Sequence, residues 1–224
     1  TKAADAIYAE ATATATIRIA LAGTQITANV PNTTVGFVSA PGAVSTVTVE
    51  GSQPSDVLSY SVDSASKNIC SVAGNGNIAT VTSLSIGLCN IVVINVSKAS
   101  DGTLIASSAV ASLTIVKGEQ TGVTVTPATP SVYFSTPAAT DVITVSGGVT
   151  GTSVNATVDA ASSETCSVTV SGNKITMTAL KVGDCIINVT KIGNTNFSDY
   201  LTTVAIPVLK TKQAAFSASA SPTG

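Results

Sequence analysis

The segment "KITMTAL" sets Ile175, Met177 and Ala179 against Thr176 and Thr178, so apolar and polar residues alternate with a period of two. That is the pattern of a strand with one face buried and the other in water. "ASLTIV" and "TTVAIPV" repeat it, with Leu113 and Ile115 in one run and Ile206 and Val208 in the other pointing one way. Gly74-Asn75-Gly76 and Ser171-Gly172-Asn173 supply turn chemistry between two such runs, so each predicts a hairpin. Gly147-Gly148 reads as another turn, and Pro207 predicts an edge strand whose missing donor faces outward. No window of a dozen residues carries an apolar stripe at helical spacing. The chain is predicted to be all-β.

The pattern also repeats. With a constant shift of 96, Val62, Asp63, Cys70, Leu84, Gly87 and Cys89 fall on Val158, Asp159, Cys166, Leu180, Gly183 and Cys185. Three residues then drop out, and a shift of 93 places Ile94, Asn95, Val96 and Lys98 on Ile187, Asn188, Val189 and Lys191. The same shift places Ile115, Lys117 and Gln120 on Val208, Lys210 and Gln213. The opening residues join in at a shift of 189, with Tyr8 on Phe197 and Ile17 on Ile206. The unit is about 95 residues long, with about seven short strands punctuated by Gly, Pro and Asn. That predicts tandem immunoglobulin-like (Ig-like) β-sandwich domains. Residues 1–24 read as the C-terminal strands of a preceding domain, 25–118 and 119–212 as two whole domains, and 213–224 as the first strand of a following one. Either the sequence is an excerpt of a longer array, or separate chains polymerise by strand complementation.

Composition removes other possibilities. The 224 residues are 44% hydrophobic and 10% charged, with a net charge of −2, so packed cores are expected. No basic run offers a footprint for nucleic acid, and no apolar stretch is long enough for a membrane helix. The four cysteines fall two to a unit, Cys70/Cys89 and Cys166/Cys185, the same number of positions apart. Two Cys without any His make a poor zinc site. One disulfide within each domain is the better reading, ahead of free buried thiols, and it implies an oxidising compartment, extracellular or at the cell surface. Such a bridge contributes about 3 kcal/mol in the chain-entropy model and shields the enclosed segment from extension under load.

The stretch "SSETCSVTVSGNKITMTALKVGDCIINVTKIGNTNFSDY" resembles the bacterial Ig-like repeats of giant surface and adhesin-type proteins. The phrases that carry the resemblance are Cys166-Ser167-Val168, Gly183-Asp184-Cys185 and Gly193-Asn194-Thr195-Asn196-Phe197. The first unit keeps the cysteine phrase and has "ASDGTL" in place of the last one. The resemblance implies a stalk, a fibre or a surface layer.

Catalytic chemistry finds little to work with. His is absent, and abundant Ser lacks a base. Asp63 and Asp159 recur beside a core Val and read as turn carboxylates that accept backbone hydrogen bonds. No enzyme activity, no cofactor and no metal site is expected; calcium between domains is the one ion worth considering, without a D-x-D-x-D-G phrase to support it. Lys98 and Lys191 recur near Asn95 and Asn188, which raises an isopeptide bond, but neighbours on one strand diverge and the disulfide already staples the unit. Glycosylation sequons occur at Asn32, Asn95, Asn155, Asn188 and Asn196. Alternation places Asn95 and Asn188 outward, with Ile94/Val96 and Ile187/Val189 inward.

The main expectation is a structural component of an extracellular fibre, stalk or surface layer, with neighbouring copies of the repeat as its partners. The alternative is an adhesin or recognition module for a glycan or a cell-surface partner. It would need exposed aromatics, and the chain has no Trp, four Tyr and four Phe, several of them, such as Phe197, at core-like positions. Tyr133 and Phe134 in "PSVYFSTP" are the best ligand contacts on offer.

Overall fold

A computed structural model describes residues 24–39, 42–98 and 102–213. The readings of 1–23 as strands of a preceding domain, Tyr8 among them, and of 214–224 as part of a following one lie outside the described residues. So does the side chain of Lys98.

The first sandwich is built from β1 (Thr27–Asn29), β2 (Thr34–Gly36), β3 (Ala43–Glu50), β4 (Val57–Val62), β5 (Cys70–Asn75), β6 (Ile78–Ser83), β7 (Gly87–Lys98) and β8 (Leu104–Val116). One sheet has the order β1-β3-β6-β5 and the other β2-β8-β7-β4. The second repeats this with β9 (Thr124–Pro127), β10 (Val132–Tyr133), β11 (Thr140–Ser146), β12 (Val154–Val158), β13 (Cys166–Ser171), β14 (Lys174–Ala179), β15 (Gly183–Lys191) and β16 (Tyr200–Leu209). Its sheets run β9-β11-β14-β13 and β10-β16-β15-β12. With the first strand divided between the two sheets, these are the ABED and A′GFC layers of an Ig-like sandwich. The division makes eight strands where the sequence pattern suggested about seven.

Alternation explains the cores. Val47, Val49, Ala79 and Val81 of one sheet face Ile91, Val93, Leu113 and Ile115 of the other, all buried. Ile143, Val145, Ile175 and Met177 face Ile187, Val189, Ile206 and Val208 in the second sandwich. Each core is crossed by a disulfide, Cys70–Cys89 from β5 to β7 and Cys166–Cys185 from β13 to β15, with Cα atoms 5.9 and 5.7 Å apart. Among the described residues, no helix is long and apolar enough to cross a membrane.

The expected hairpin turns form at Gly76 and Gly172, both in the left-handed region that a tight two-residue turn requires. The sequence predicts an edge strand at Pro207, but β16 is an inner strand between β10 and β15; Pro207 is accommodated because it lies just before the two residues that β10 covers. Its counterpart in the first sandwich, Thr114, donates its amide to Thr33 at 2.7 Å, away from β7. Pro207 has no such donor, and β10 pairs over two residues where β2 pairs over three.

The outward placement of Asn95 is also overturned. Asn95 is buried (0% exposed) and Ile94 lies outside (40% exposed). The register explains this: Leu58 faces Asn95 and its counterpart Val154 faces Lys191, so the shift of 96 persists along the whole strand. The three missing residues belong to the β15–β16 hairpin end, not to the strand after Cys185. An odd offset reverses every side chain on a strand, so Asn95 points inward and Asn188, half-buried, points outward as expected.

Candidate functional site

Beside each disulfide lies a polar knot. Ser66 (0% exposed) receives the Asn90 amide on its Oγ at 2.9 Å and donates to Leu88 O at 3.3 Å. Ser162 repeats this with the Ile186 amide at 3.1 Å and Asp184 O at 2.8 Å. Asp63 Oδ1 accepts from the Ser66 amide at 2.8 Å and Oδ2 from Asn90 Nδ2 at 2.9 Å. Hydrogen bonds from Ser66 and Asn90 hold its carboxyl below the usual carboxylate range. Asp159 caps the 3-10 turn Ala160–Ser162 through the Ala161 amide. Both acids are turn carboxylates, as their sequence context indicates. The serines escaped the sequence reading, although Asp-x-x-Ser recurs in both units and marks them.

The more consequential site is where the two sandwiches meet. The loop between β15 and β16, residues 192–199, folds on itself before it touches anything else. Asn194 Oδ1 accepts the amides of Asn196 and Phe197 at 2.8 and 2.9 Å, an Asx turn that Asn readily forms. Asp199 Oδ1 takes the Gly193 amide at 2.8 Å. Gly193 is required by contact, since a Cβ there would lie 2.2 Å from Phe197 O.

The braced loop projects Phe197 into the first sandwich, where it packs against that sandwich's core and not its own. Its ring meets Phe37 edge to face, centroids 5.2 Å apart and planes at 86°. Around the rings, Gly118 donates to Asn196 O and accepts from the Ser198 amide, both at 2.9 Å, forming a parallel bridge between the linker and the loop. Gly118 also has to be small, because a Cβ would stand 2.0 Å from Phe37 O. Asn196 Oδ1 accepts from Ser85 Oγ and the Ile86 amide, both at 3.3 Å. On the second sandwich's side, Gln120 (7% exposed) donates to Lys191 O and Ser198 O at 2.9 Å and accepts from Val149 N at 3.0 Å. Gln120 stood out in the sequence only as a repeat of Gln213.

A cleft of about 490 Å³ lies beside this contact, lined by both phenylalanines with Gln120, Thr121, Thr150 and Asn194. No titratable side chain lines it. It offers hydrogen bonding and packing, and it holds no group that could move a proton at neutral pH. Among the described residues, no three His, Cys, Asp or Glu side chains converge in a way that could hold a metal.

The structure separates the other residues singled out in the sequence. Asn32 and Asn155 are exposed. Asn188 is half-buried, its Nδ2 3.5 Å from Asp159 Oδ2. Asn196 belongs to the junction. Asn95 is closed to any glycan in the folded state, its Nδ2 bonded to Asp56 Oδ2 at 2.9 Å. Lys191 (3% exposed) gives its Nζ to Thr152 O at 2.7 Å, not to Asn188. Tyr133 is 54% exposed and Phe134 half-buried against the second core.

No protein-family model matches the sequence, and no curated protein matches it. Solved structures with a similar chain course include the surface layer protein SbsC, domains 1–6, at 17% identity over 85% of this chain and a TM-score of 0.31. This chain spans 28% of that one. Mouse cadherin-23 EC22–24 matches at 10% identity over 84% of this chain and 67% of that chain, with a TM-score of 0.33. Murine CEACAM1b matches at 10% identity over 84% of this chain and 100% of that chain, with a TM-score of 0.31. The Ig-like description of this chain rests on its own strand order.

Proposed function

We propose that this chain is a stretch of an extracellular or cell-surface fibre, stalk or surface layer made of tandem Ig-like units. In this reading residues 25–118 and 119–212 are successive units, and 1–24 and 213–224 belong to their neighbours. The observation that carries it is the braced Phe197 loop seated in the end of the preceding sandwich. A flexible string of recognition modules has no use for such a fixture, whereas a spacer that must hold its direction does. Two cross-core disulfides add resistance to extension and proteolysis and match an oxidising compartment.

The test is made on the source cells with antibodies raised against the chain. The expected result is a surface-accessible polypeptide, labelled on intact cells by a membrane-impermeant amine reagent and far larger than 22.1 kDa under reducing denaturation. A protein protected inside intact cells would overturn the reading.

A further inference from the structure

The far end of the second sandwich reproduces the end of the first that receives the Phe197 loop. The Phe37 amide donates to Val116 O and the Phe134 amide to Leu209 O, both at 2.9 Å, so the two phenylalanines occupy the same place after the same strand. At the neighbouring corner, Leu84 and Ser85 both donate to Ile69 O, and Leu180 and Lys181 both donate to Thr165 O, at 2.8 and 3.1 Å in each case. Thr211 aligns with Gly118 in the repeat but carries the Cβ that Gly118 lacks, and its hydroxyl bonds to Phe134 O, so the two ends differ at this position. Gln213 aligns with Gln120 in the repeat.

Coverage differs as well. Phe37 is 9% exposed beneath Phe197, and Ile86 is half-buried beneath Asn196. Phe134 is only half-buried, Val182 is 39% exposed, and Lys181 and Gln213 are exposed.

We propose that this end, formed by Phe134 and the Val182 amide, is the seat for the β15–β16-type loop of another copy of this Ig-like unit. An aromatic ring from that loop caps Phe134 edge-on, as Phe197 caps Phe37. An asparagine of the loop accepts the Val182 amide as Asn196 accepts that of Ile86. Gln213 grips the incoming loop's carbonyls as Gln120 does. The occupant follows from continuity with the junction already in place, and the proposal rests on the array reading above. Phe134, singled out as a ligand contact, is then a contact for a protein loop. Tyr133, its neighbour on β10, takes no part in the seat.

The experiment lengthens the chain so that residues 120–213 follow a second time after Lys212, with every phenylalanine fluorinated for ¹⁹F NMR. Phe134→Leu and Phe37→Leu assign the two signals. The expected result is that the Phe134 signal leaves its position in the 224-residue chain and its solvent isotope shift falls to that of Phe37. Replacing the added loop's phenylalanine with alanine returns it, with Phe37 unaffected. A Phe134 signal that stays solvent-sensitive while Phe37 remains shielded overturns the seat and leaves the array reading standing. A signal that moves but ignores the alanine replacement overturns it too. If Phe37 is itself solvent-exposed, the junction and the array reading fall together.

Discussion

The hairpins that close the two sandwiches share a root and differ at the tip. Pairing of β7 with β8 starts at Gly87 opposite Ile115 and runs on to Lys98 opposite Leu104. Pairing of β15 with β16 starts at the equivalent Gly183 opposite Val208 and stops three rungs sooner, at Lys191 opposite Tyr200. The second hairpin gives residues 192–199 to a loop that braces itself and sets Phe197 against the neighbour's core. In the first, Leu104, which the repeat aligns with Phe197, lies within β8 and is 68% exposed. A hairpin end can thus be an extended ladder or a plug, on the same disulfide-stapled scaffold. The choice depends on whether the local sequence supplies Gly-Asn-x-Asn-Phe.

If the roots are equivalent, the two disulfides should matter equally and most. Replacing Cys70 and Cys89 by Ala, or Cys166 and Cys185, is expected to cost the affected sandwich about 3 kcal/mol in urea unfolding. A large inequality would break the equivalence. If the tips differ as described, Phe197→Ala should cost about 2 kcal/mol from lost burial and free the two sandwiches from each other. Leu104→Ala should stay within about 0.5 kcal/mol, since its side chain covers nothing comparable. X-ray scattering and hydrogen exchange at Gly118 would read both.

The strand offset predicts a smaller contrast. Asn95→Ala removes the bond to Asp56 but also an Oδ1 that is buried without a partner, so about 1 kcal/mol is expected. Asn188→Ala on the outer face should change stability by less than about 0.5 kcal/mol. Equal effects would contradict the inward placement of Asn95. Smallest is a pH effect at the first knot. Because folding lowers the Asp63 pKa, the stability it contributes is complete above the unfolded value, about 4, and is lost as pH falls through the lower folded value. The stability gap between the chain and Asp63→Asn should therefore close from roughly pH 4 downward in thermal melts. A gap independent of pH would remove the carboxylate from that role.

Much of the fold was readable because a period of two and a repeated unit are both properties of the chain itself. Ile175/Met177, the Gly-Asn turns and the paired cysteines each report local geometry. The inward turn of Asn95 was not readable, since a three-residue gap can be drawn in the strand or at the hairpin end with similar letter matches. Only pairing with β4 decides, and parity then reverses the face. Phe197 looked like a core residue of its own domain and instead packs, half-buried, against the core of the other sandwich; alternation does not say against which domain a ring packs. Ser66 and Ser162 were marked by the recurring Asp-x-x-Ser, but only the structure shows that their hydroxyls bond the backbone on either side of Cys89 and Cys185.

The central claim is that the Phe197 loop makes two sandwiches into one directed body. Residual dipolar couplings of backbone amides in Thr27–Val116 and Thr124–Leu209 test it most directly. The account predicts that both sets fit one alignment tensor of common magnitude and orientation, and that this is lost in Phe197→Ala. Two tensors of different magnitude in the unaltered chain would show the sandwiches reorienting independently and would contradict it.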